Sequence, residues 1–340
     1  MTEVWTLLWE TQKLLRARKL FWVVMSVTLG VALMYASIGF NNEGFSFLFG
    51  LWKVKSPFLK AGSPEADYAY LSLFSSFIVP HWFGFASIGL ALFATCSLFP
   101  ELMMEGSVET VLSKPIARWK IFLTKYLGAL LFMAVPLTIF CLVVFLAMGL
   151  RMQIWMPKIF IAVPLLTFVF STLYSFATLV GVRTRSTLFA LISTFLLWIL
   201  CFMAQFCESG LYVAAYIMPE LDVSPTYDDE GEVSLVNEQP IALDWKKIHS
   251  GYSKSLWVLP KPRQGTLYLK KILLFDENVE SQTGGSLLGL LMGQAQHEED
   301  RALNAQLYSR LTPAGVILPS IIFQIVCLSV AGWIFCRRDF

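Results

Sequence analysis

Three glutamates in one short polar stretch are spaced for docking against a partner. Glu101, Glu105 and Glu109 follow one another at four-residue intervals, so a helix would align their carboxylates along one side. Val108 and Leu112 would then lie on another side of the helix. The stretch therefore predicts a short amphipathic helix at a membrane surface. The alternative is a solvated polar linker between two apolar runs.

The residues around the glutamates suit the same interpretation. Gly106 permits the close approach of another backbone. Pro115 would end the surface helix and fits the first turn of the next one. Arg118, Lys120 and Lys125 then mark the boundary of the following apolar run.

Other residues that could carry out chemistry are scattered. His81 follows Pro80 at the start of an apolar run and is interpreted as an interfacial histidine, with a ligand or proton site as the alternative. His249 and His297 stand alone, so the sequence predicts no metal site. Neither a G-x-S-x-G nor a G-x-x-x-x-G-K-[ST] motif occurs. We therefore expect no catalytic residue and no cofactor bound by this chain.

Two glutamines within apolar runs are candidate pathway residues. Gln205 and Gln324 could line a transport path or bond neighbouring helices. Ionisable side chains are nearly absent from the middle of the runs, which argues against an ion relay.

Composition indicates that lipid is the solvent for much of the chain. Of its 340 residues, 56% are hydrophobic and only 15% are charged, which is more apolar surface than one soluble core absorbs. A net charge of +2 gives no reason to expect nucleic acid as a partner. Six cysteines all lie in or beside apolar runs, so no disulfide framework is expected.

Six apolar runs are long enough to cross a bilayer as helices. They cover residues 21–40, 77–99, 121–149, 159–182, 187–207 and 314–335. We therefore predict an all-α integral membrane protein with six transmembrane helices. The first run is too long for a signal peptide, and Glu3 and Glu10 precede it.

Lysines and arginines in the flanks of these runs predict the orientation. The side of the N-terminus would hold Lys13, Arg16, Arg18, Lys19, Lys114, Arg118, Lys120, Lys125, Arg183, Arg185, Arg337 and Arg338. The short loops on the other side would hold Lys53, Lys55, Lys60, Arg151 and Lys158. The positive-inside rule then places both termini in the cytoplasm.

The predicted runs divide the chain into four parts. These are an amphipathic interfacial helix at 1–20, transmembrane helices one to five at 21–207 with the surface helix at 101–117, an extracytoplasmic segment at 208–312, and the last transmembrane helix with its tail at 313–340. Trp5 and Trp9 of the first part would lie at headgroup level. The alternative is that residues 1–20 simply extend the first transmembrane helix into water.

The stretch EGSVETVLSKPIARWKIFLTKYLG resembles the cytoplasmic coupling-helix signature of type-2 ABC transporter permeases. The matching residues are Glu105, Gly106, Glu109, Leu112, Ser113, Pro115, Arg118, Lys125 and Gly128. Ser107 and Thr124 depart from it, standing where threonine and glycine are usual. The N-terminal helix, the six-span order and the ending WIFCRRDF are also similar to such subunits, whereas 208–312 is longer than in a minimal family member.

This resemblance implies a permease subunit, of the exporter type, in the plasma (inner) membrane of a prokaryote. Its power source would be a separate cytoplasmic ATPase subunit that binds ATP and Mg, and a second copy of the chain would complete a homodimer. The coupling helix would sit in a groove of the ATPase. The expected ATPase-coupling residues are Glu101, Glu105, Gly106, Glu109, Leu112, Pro115 and Arg118.

Two other functions stay open. A mechanotransmission or assembly subunit with the same architecture would act on an extracytoplasmic protein through residues 208–312 and would move no solute. An ion-coupled secondary transporter would follow an ion gradient and ignore ATP, but the scarcity of buried charges disfavours it.

Overall fold

The computed structural model describes residues 2–17, 19–41, 44–55, 70, 73–103, 117–153, 155–217, 225–227, 233–235, 245–274 and 310–337. Within these residues, six helices are long and apolar enough to cross a membrane. They cover Lys19–Ala36, Phe77–Leu102, Arg118–Arg151, Pro157–Thr184, Thr187–Tyr216 and Pro313–Arg337. The predicted set of six membrane-length helices is therefore confirmed. The fifth continues to Tyr216, beyond its predicted end at residue 207.

The elements are numbered in chain order. The described α-helices are α1 (Thr2–Ala17), α2 (Lys19–Ala36), α3 (Ser87–Thr95), α4 (Leu98–Leu102), α5 (Arg118–Met152), α6 (Ala162–Thr184), α7 (Thr187–Tyr212), α8 (Trp245–Ser255), α9 (Pro262–Leu274) and α10 (Pro313–Arg337). The described strands are β1 (Gly39–Asn41), β2 (Gly44–Phe47), β3 (Trp52–Lys55), β4 (Pro225–Tyr227) and β5 (Val233–Leu235). Wide-turned π-helical segments, Phe74–Ala86 and Val213–Ile217, precede α3 and follow α7.

Helix α1 packs beside the first part of α5. Thr11 of α1 is buried, and the Gln12 side-chain amide donates to the Gly128 carbonyl at 2.8 Å. Further along α5, the Phe21 ring of α2 lies 5.5 Å from that of Phe132. The 35 residues of α5 span about 52 Å, well beyond the roughly 30 Å of hydrocarbon. Helix α5 therefore reaches past α2 to contact α1, and the position of α1 in the membrane interface stays a prediction.

Short strands correct the prediction of an entirely helical protein. Strands β1, β2 and β3 form a three-stranded antiparallel sheet directly after α2. Strands β4 and β5 pair in a second small sheet after α7. Phe40, Phe45 and Phe47 favour extended backbone, but each strand has only three or four residues. Runs that short carry too little periodicity to stand out in the sequence.

The second membrane-length helix begins with unusually wide turns. Its segment Phe74–Ala86 is π-helical and contains Pro80. Proline has no N–H and cannot donate within the helix, so locally wider turns accompany it. The regular helices α3 and α4 follow.

The remaining long helices define two ends of the bundle. Pro100 of α4 contacts Gly181 of α6, and Arg118 of α5 reaches the Cys336 carbonyl of α10. We call this the basic end, since Arg183 and Arg337 also lie there near the ends of α6 and α10. The opposite end is called the distal end. The assignment of the basic end to the cytoplasm stays a prediction.

We call residues 208–312, the segment predicted to be extracytoplasmic, the distal segment. Its described part packs onto the bundle through α8 and α9. Helix α9 contacts the π-helical segment Phe74–Ala86 and helices α6, α7 and α10. A Cβ added at Gly265 would lie 2.7 Å from a Val169 methyl of α6, so this contact requires glycine. Leu269 and Leu273 of α9 are also buried. Helix α9 therefore lies among four membrane-length helices near their distal ends.

Candidate functional site

The chain before the predicted coupling helix is anchored in the bundle. Helix α4 buries Leu98, Phe99 and Pro100, while Glu101 is exposed. A Cβ at Gly181 of α6 would lie 3.3 Å from the Pro100 ring. This close approach holds α4 directly against α6.

The chain after the predicted coupling helix is anchored to a different helix. Arg118, at the start of α5, donates from Nη1 to the Cys336 carbonyl near the end of α10 at 3.3 Å. A cation at a helix C-terminus is also favoured by the helix dipole. The two flanks therefore contact two different helices, α6 and α10.

The other predicted coupling residues lie between these flanks, outside the described residues. They are Glu105, Gly106, Glu109, Leu112 and Pro115. Their alignment on one helical face stays a prediction. Glu101 and Arg118 stand at the two edges of that segment, both at the basic end.

A chain of buried aromatic rings leads from the flanks into the bundle. The ring centroids of Phe335 and Phe122 are 5.8 Å apart, and those of Phe122 and Phe99 are 5.1 Å apart. Phe99 lies 6.4 Å from Tyr174, which stacks on Tyr126 at 5.4 Å. All five rings are buried. Because protein interiors are close-packed, rings in contact transmit displacement and have few voids in which to absorb it. We call these five residues the aromatic chain.

The aromatic chain ends at a hydrogen-bonded cluster near the middle of α10. The Tyr126 hydroxyl donates to the Ser171 carbonyl at 2.7 Å. The Gln324 side-chain amide donates to the Ser171 hydroxyl at 2.7 Å and to the Tyr126 hydroxyl at 3.3 Å. These bonds join α5, α6 and α10, so Gln324 does bond neighbouring helices. Its part in a transport path stays a prediction.

Gln205 of α7 attaches the start of α9 to the bundle. Its side chain is buried, its Nε2 donates to the Pro260 carbonyl at 3.1 Å, and its Oε1 accepts from the Gln264 backbone N–H at 3.0 Å. Both ends of the amide are therefore used in holding the distal segment. A role for Gln205 in lining a path stays a prediction.

A buried carboxylate one turn further along α7 makes several polar contacts at the distal end. Glu208 is only 5% exposed. Arg310 donates from Nη1 to Oε1 at 2.8 Å and from Nη2 to Oε2 at 3.2 Å. His249 Nε2 lies 3.1 Å from Oε1, and the Gln264 side chain donates to Oε2 at 3.3 Å. We call these four residues the Glu208 cluster.

Further cations surround the Glu208 cluster. Arg263 Nη1 donates to the Gln205 carbonyl and to the Ser209 hydroxyl, both at 3.0 Å. Burial lowers the pKa of the Lys261 amine from its usual value, while Glu208 opposes this and Arg310 adds to it. The Arg310 guanidinium also lies over the Tyr212 ring, 4.2 Å from its centroid, in a favourable cation–π geometry. The site joins α7, α8, α9 and Arg310, three positions before α10, into one unit.

Sequence reasoning missed the Glu208 cluster. The sequence places Glu208 directly after an apolar run, at the start of the segment 208–312, and His249 stands alone in that segment. The available signal was a glutamate directly after a membrane-length run, since such a charge requires a partner when it is buried. The identity of that partner depends on the fold of residues 245–310. Among the described residues, no three His, Cys, Asp or Glu side chains come together as a metal site would require.

Comparison with known proteins adds no assignment. A scan against protein-family models finds no match to this chain. A search of curated proteins finds no match either.

Proposed function

We propose that this chain is the membrane-spanning permease subunit of an ATP-driven ABC transporter of the exporter type. The observation that carries the proposal is the anchoring of both flanks of residues 104–116, through Pro100 to α6 and through Arg118 to α10. A segment anchored on both sides can act as a lever on the bundle. The resemblance of the same segment to coupling helices of type-2 permeases supports this role.

The mechanism follows from the contacts along the aromatic chain. A cytoplasmic ATPase subunit, which holds the ATP and Mg, would push on Glu105 and Glu109 when it closes. Pro100 would pass the displacement to α6, and the aromatic chain would carry it to Tyr126 at the central cluster. Rigid-body helix shifts of one or two ångströms are a common way to convey such a signal.

The proposed assembly contains two permease copies and two ATPases. Since two ATPases close on each other, a symmetric pair of permeases gives each ATPase one coupling segment. The basic end would face the cytoplasm of a prokaryote, with both termini on that side of the plasma membrane. The distal segment would offer a surface for an extracytoplasmic protein.

Replacing both central glutamates of the coupling segment tests this proposal. The variant Glu105→Gln/Glu109→Gln removes two charges from the expected ATPase contact without adding bulk. Purified complexes in nanodiscs would be assayed for ATP hydrolysis and, by spin labels at Leu123 and Leu188, for a nucleotide-dependent distance change. Both labelled side chains are exposed, on α5 and α7. We expect ATP hydrolysis to persist while the distance change is lost.

The matched control removes two charges from the distal segment. Asp228→Asn/Asp229→Asn alters the same number of carboxylates in the acidic stretch PTYDDEGE, and it should leave the distance change intact. Equal coupling in both double variants would contradict the proposed role of Glu105 and Glu109.

A second function is favoured by the firm attachment of the distal segment. The Glu208 cluster and the burial of α9 would let motion of the bundle reach an extracytoplasmic partner without moving a solute. Lys271 Nζ donates to the Leu311 carbonyl at 3.1 Å, so the chain lies close together on the two sides of residues 276–308. A variant in which a short linker replaces these residues can therefore keep α9 and Arg310 in place, and it distinguishes the two functions. Loss of partner binding with ATP-driven transport retained would favour the exporter. Loss of all measurable activity would favour the mechanotransmission subunit, and transport driven by an ion gradient alone would exclude both.

A further inference from the structure

The turn between β2 and β3 exposes a group of large apolar side chains. Leu48, Phe49, Leu51 and Trp52 are 44%, 70%, 81% and 71% exposed. Such a continuous group in a short turn is unusual on a surface that faces only water. We call residues 48–52 the apolar turn.

The backbone of the apolar turn is held in a conformation that few side chains adopt. Leu48 and Phe49 have φ values of 51° and 57°, and Gly50 follows with φ 97°. Left-handed backbone is unfavourable for bulky residues, so the flanking antiparallel pair Phe47↔Trp52 must hold it. Glycine, asparagine or aspartate would adopt this left-handed backbone with less strain. Large apolar residues at such strained positions therefore indicate that their exposure serves a function.

A hydrogen bond places the apolar turn beside the end of a membrane-length helix. The Phe49 backbone N–H donates to the Ser37 carbonyl at 3.2 Å, and Ser37 directly follows the last residue of α2. Leu150 near the distal end of α5 is 70% exposed, and Trp155 shortly after it is 51% exposed. The apolar turn therefore lies beside the distal end of α2, at the end of the bundle where Leu150 and Trp155 are exposed.

We propose that the apolar turn inserts into the bilayer leaflet at the distal end, at the boundary between headgroups and acyl chains. Tryptophan and other large apolar side chains are favoured at this depth. Exposed Lys53 follows Trp52 directly, and its amine can reach lipid phosphates while its stem stays in the apolar layer. The partner is the phospholipid surface around the protein. The inference depends on the six membrane-length helices and not on the proposed use of ATP.

Collision-based electron paramagnetic resonance at Leu51 tests this insertion. The full chain in phospholipid nanodiscs would carry Leu51→Cys with a nitroxide, in a background with Cys207→Ser and Cys336→Ser. Relaxation by oxygen, which partitions into hydrocarbon, would be compared with relaxation by water-soluble nickel EDDA. Ile325→Cys on the exposed side of α10 gives the lipid reference. Ser250→Cys on the exposed side of α8 gives the water reference.

The result expected is an oxygen-to-nickel ratio at Leu51 several-fold above that at Ser250 and closer to that at Ile325. A ratio closer to the Ser250 value would place the apolar turn in water and overturn the proposal. Protection of Leu51 from both reagents would also overturn it, because a protein surface would then cover the turn. A label at Phe49 repeats the test if Leu51→Cys fails to yield folded protein.

Discussion

The two ends of the helical bundle are held together by different kinds of interaction. At the basic end, α4 packs through Phe99 and Pro100, and Arg118 donates to the Cys336 carbonyl at 3.3 Å. At the distal end, Glu208 accepts two hydrogen bonds from Arg310 while buried from solvent. Apolar packing depends on volume and tolerates small shifts, whereas a buried ion pair depends on geometry and becomes costly when one partner leaves.

This difference suggests different mechanical roles. At the basic end, the contacting rings of Phe99, Phe122 and Phe335 can shift together as a packed body. At the distal end, α9 is closed onto α7, and separating these two helices would uncover Glu208. Within the Glu208 cluster, His249 Nδ1 and Arg310 Nε are buried without a partner among the described residues. Buried polar atoms of this kind carry a cost, so the closed arrangement is not as stable as a fully bonded one.

The largest expected effect is the loss of the arginine partner at the distal end. Arg310→Met leaves Glu208 buried without its bidentate partner, which typically costs about 3–5 kcal/mol. Thermal unfolding in nanodiscs should show a lowered midpoint, and protease should cleave the chain between α7 and α8 more rapidly.

A double variant distinguishes loss of charge pairing from loss of packing. Glu208→Gln/Arg310→Met removes both charges but keeps an acceptor for His249 and Gln264. It should recover most of the lost stability. An Arg310→Met protein as stable as the wild type would contradict the account of the distal end.

The next largest effect is expected from bulk added at the basic end. Gly181→Leu would press on the Pro100 ring, and overpacking of this kind costs about 1–3 kcal/mol. Displacement of α4 should also abolish the nucleotide-dependent distance change between α5 and α7. Gly30→Leu is the matched control, because a Cβ at Gly30 of α2 meets no atom within 4 Å. Similar behaviour of the two leucine variants would show that the α4 contact with α6 does not carry the motion.

The smallest effect is expected at Lys261, which lies at the distal end without a place in the Glu208 cluster. Burial lowers the pKa of its amine despite the attraction of Glu208, so the charge contributes little net stability. Lys261→Met keeps the apolar stem and should change the free energy of unfolding by less than about 1 kcal/mol. Denaturation midpoints measured beside those of Arg310→Met check this. A loss as large as that of Arg310→Met would show that Lys261 belongs to the cluster.

The sequence was sufficient for the membrane-length helices and insufficient for the contacts between them. A run such as 314–335 is readable because a helix that crosses hydrocarbon needs about 20 predominantly apolar residues in succession. The partners of Glu208 are not readable, since His249 and Arg310 are separated from it by 41 and 102 positions. The strands after α2 are not readable because strands of three or four residues have no detectable period.

Only the local part of the candidate site was predictable from the sequence. The glutamate spacing at 101–109 is a local pattern, and the sequence alone expresses it. The aromatic chain joins Phe99, Tyr174 and Phe335, whose positions in the sequence give no sign that they meet. The packing of α4 against α6 brings Phe99 to Tyr174, and the packing of α5 against α10 brings Phe122 to Phe335.

The most direct test of the central claim is whether the segment between α4 and α5 binds an ATPase. The chain would be purified from its native membranes in mild detergent, and co-purified ATP hydrolysis would be measured for wild type, Glu105→Lys/Glu109→Lys and Arg310→Met. The account predicts ATP hydrolysis with wild type and with Arg310→Met, and its loss with the charge-reversed pair although that variant still inserts in the membrane. Absence of ATP hydrolysis from the wild-type preparation, or equal hydrolysis in all three, would contradict it.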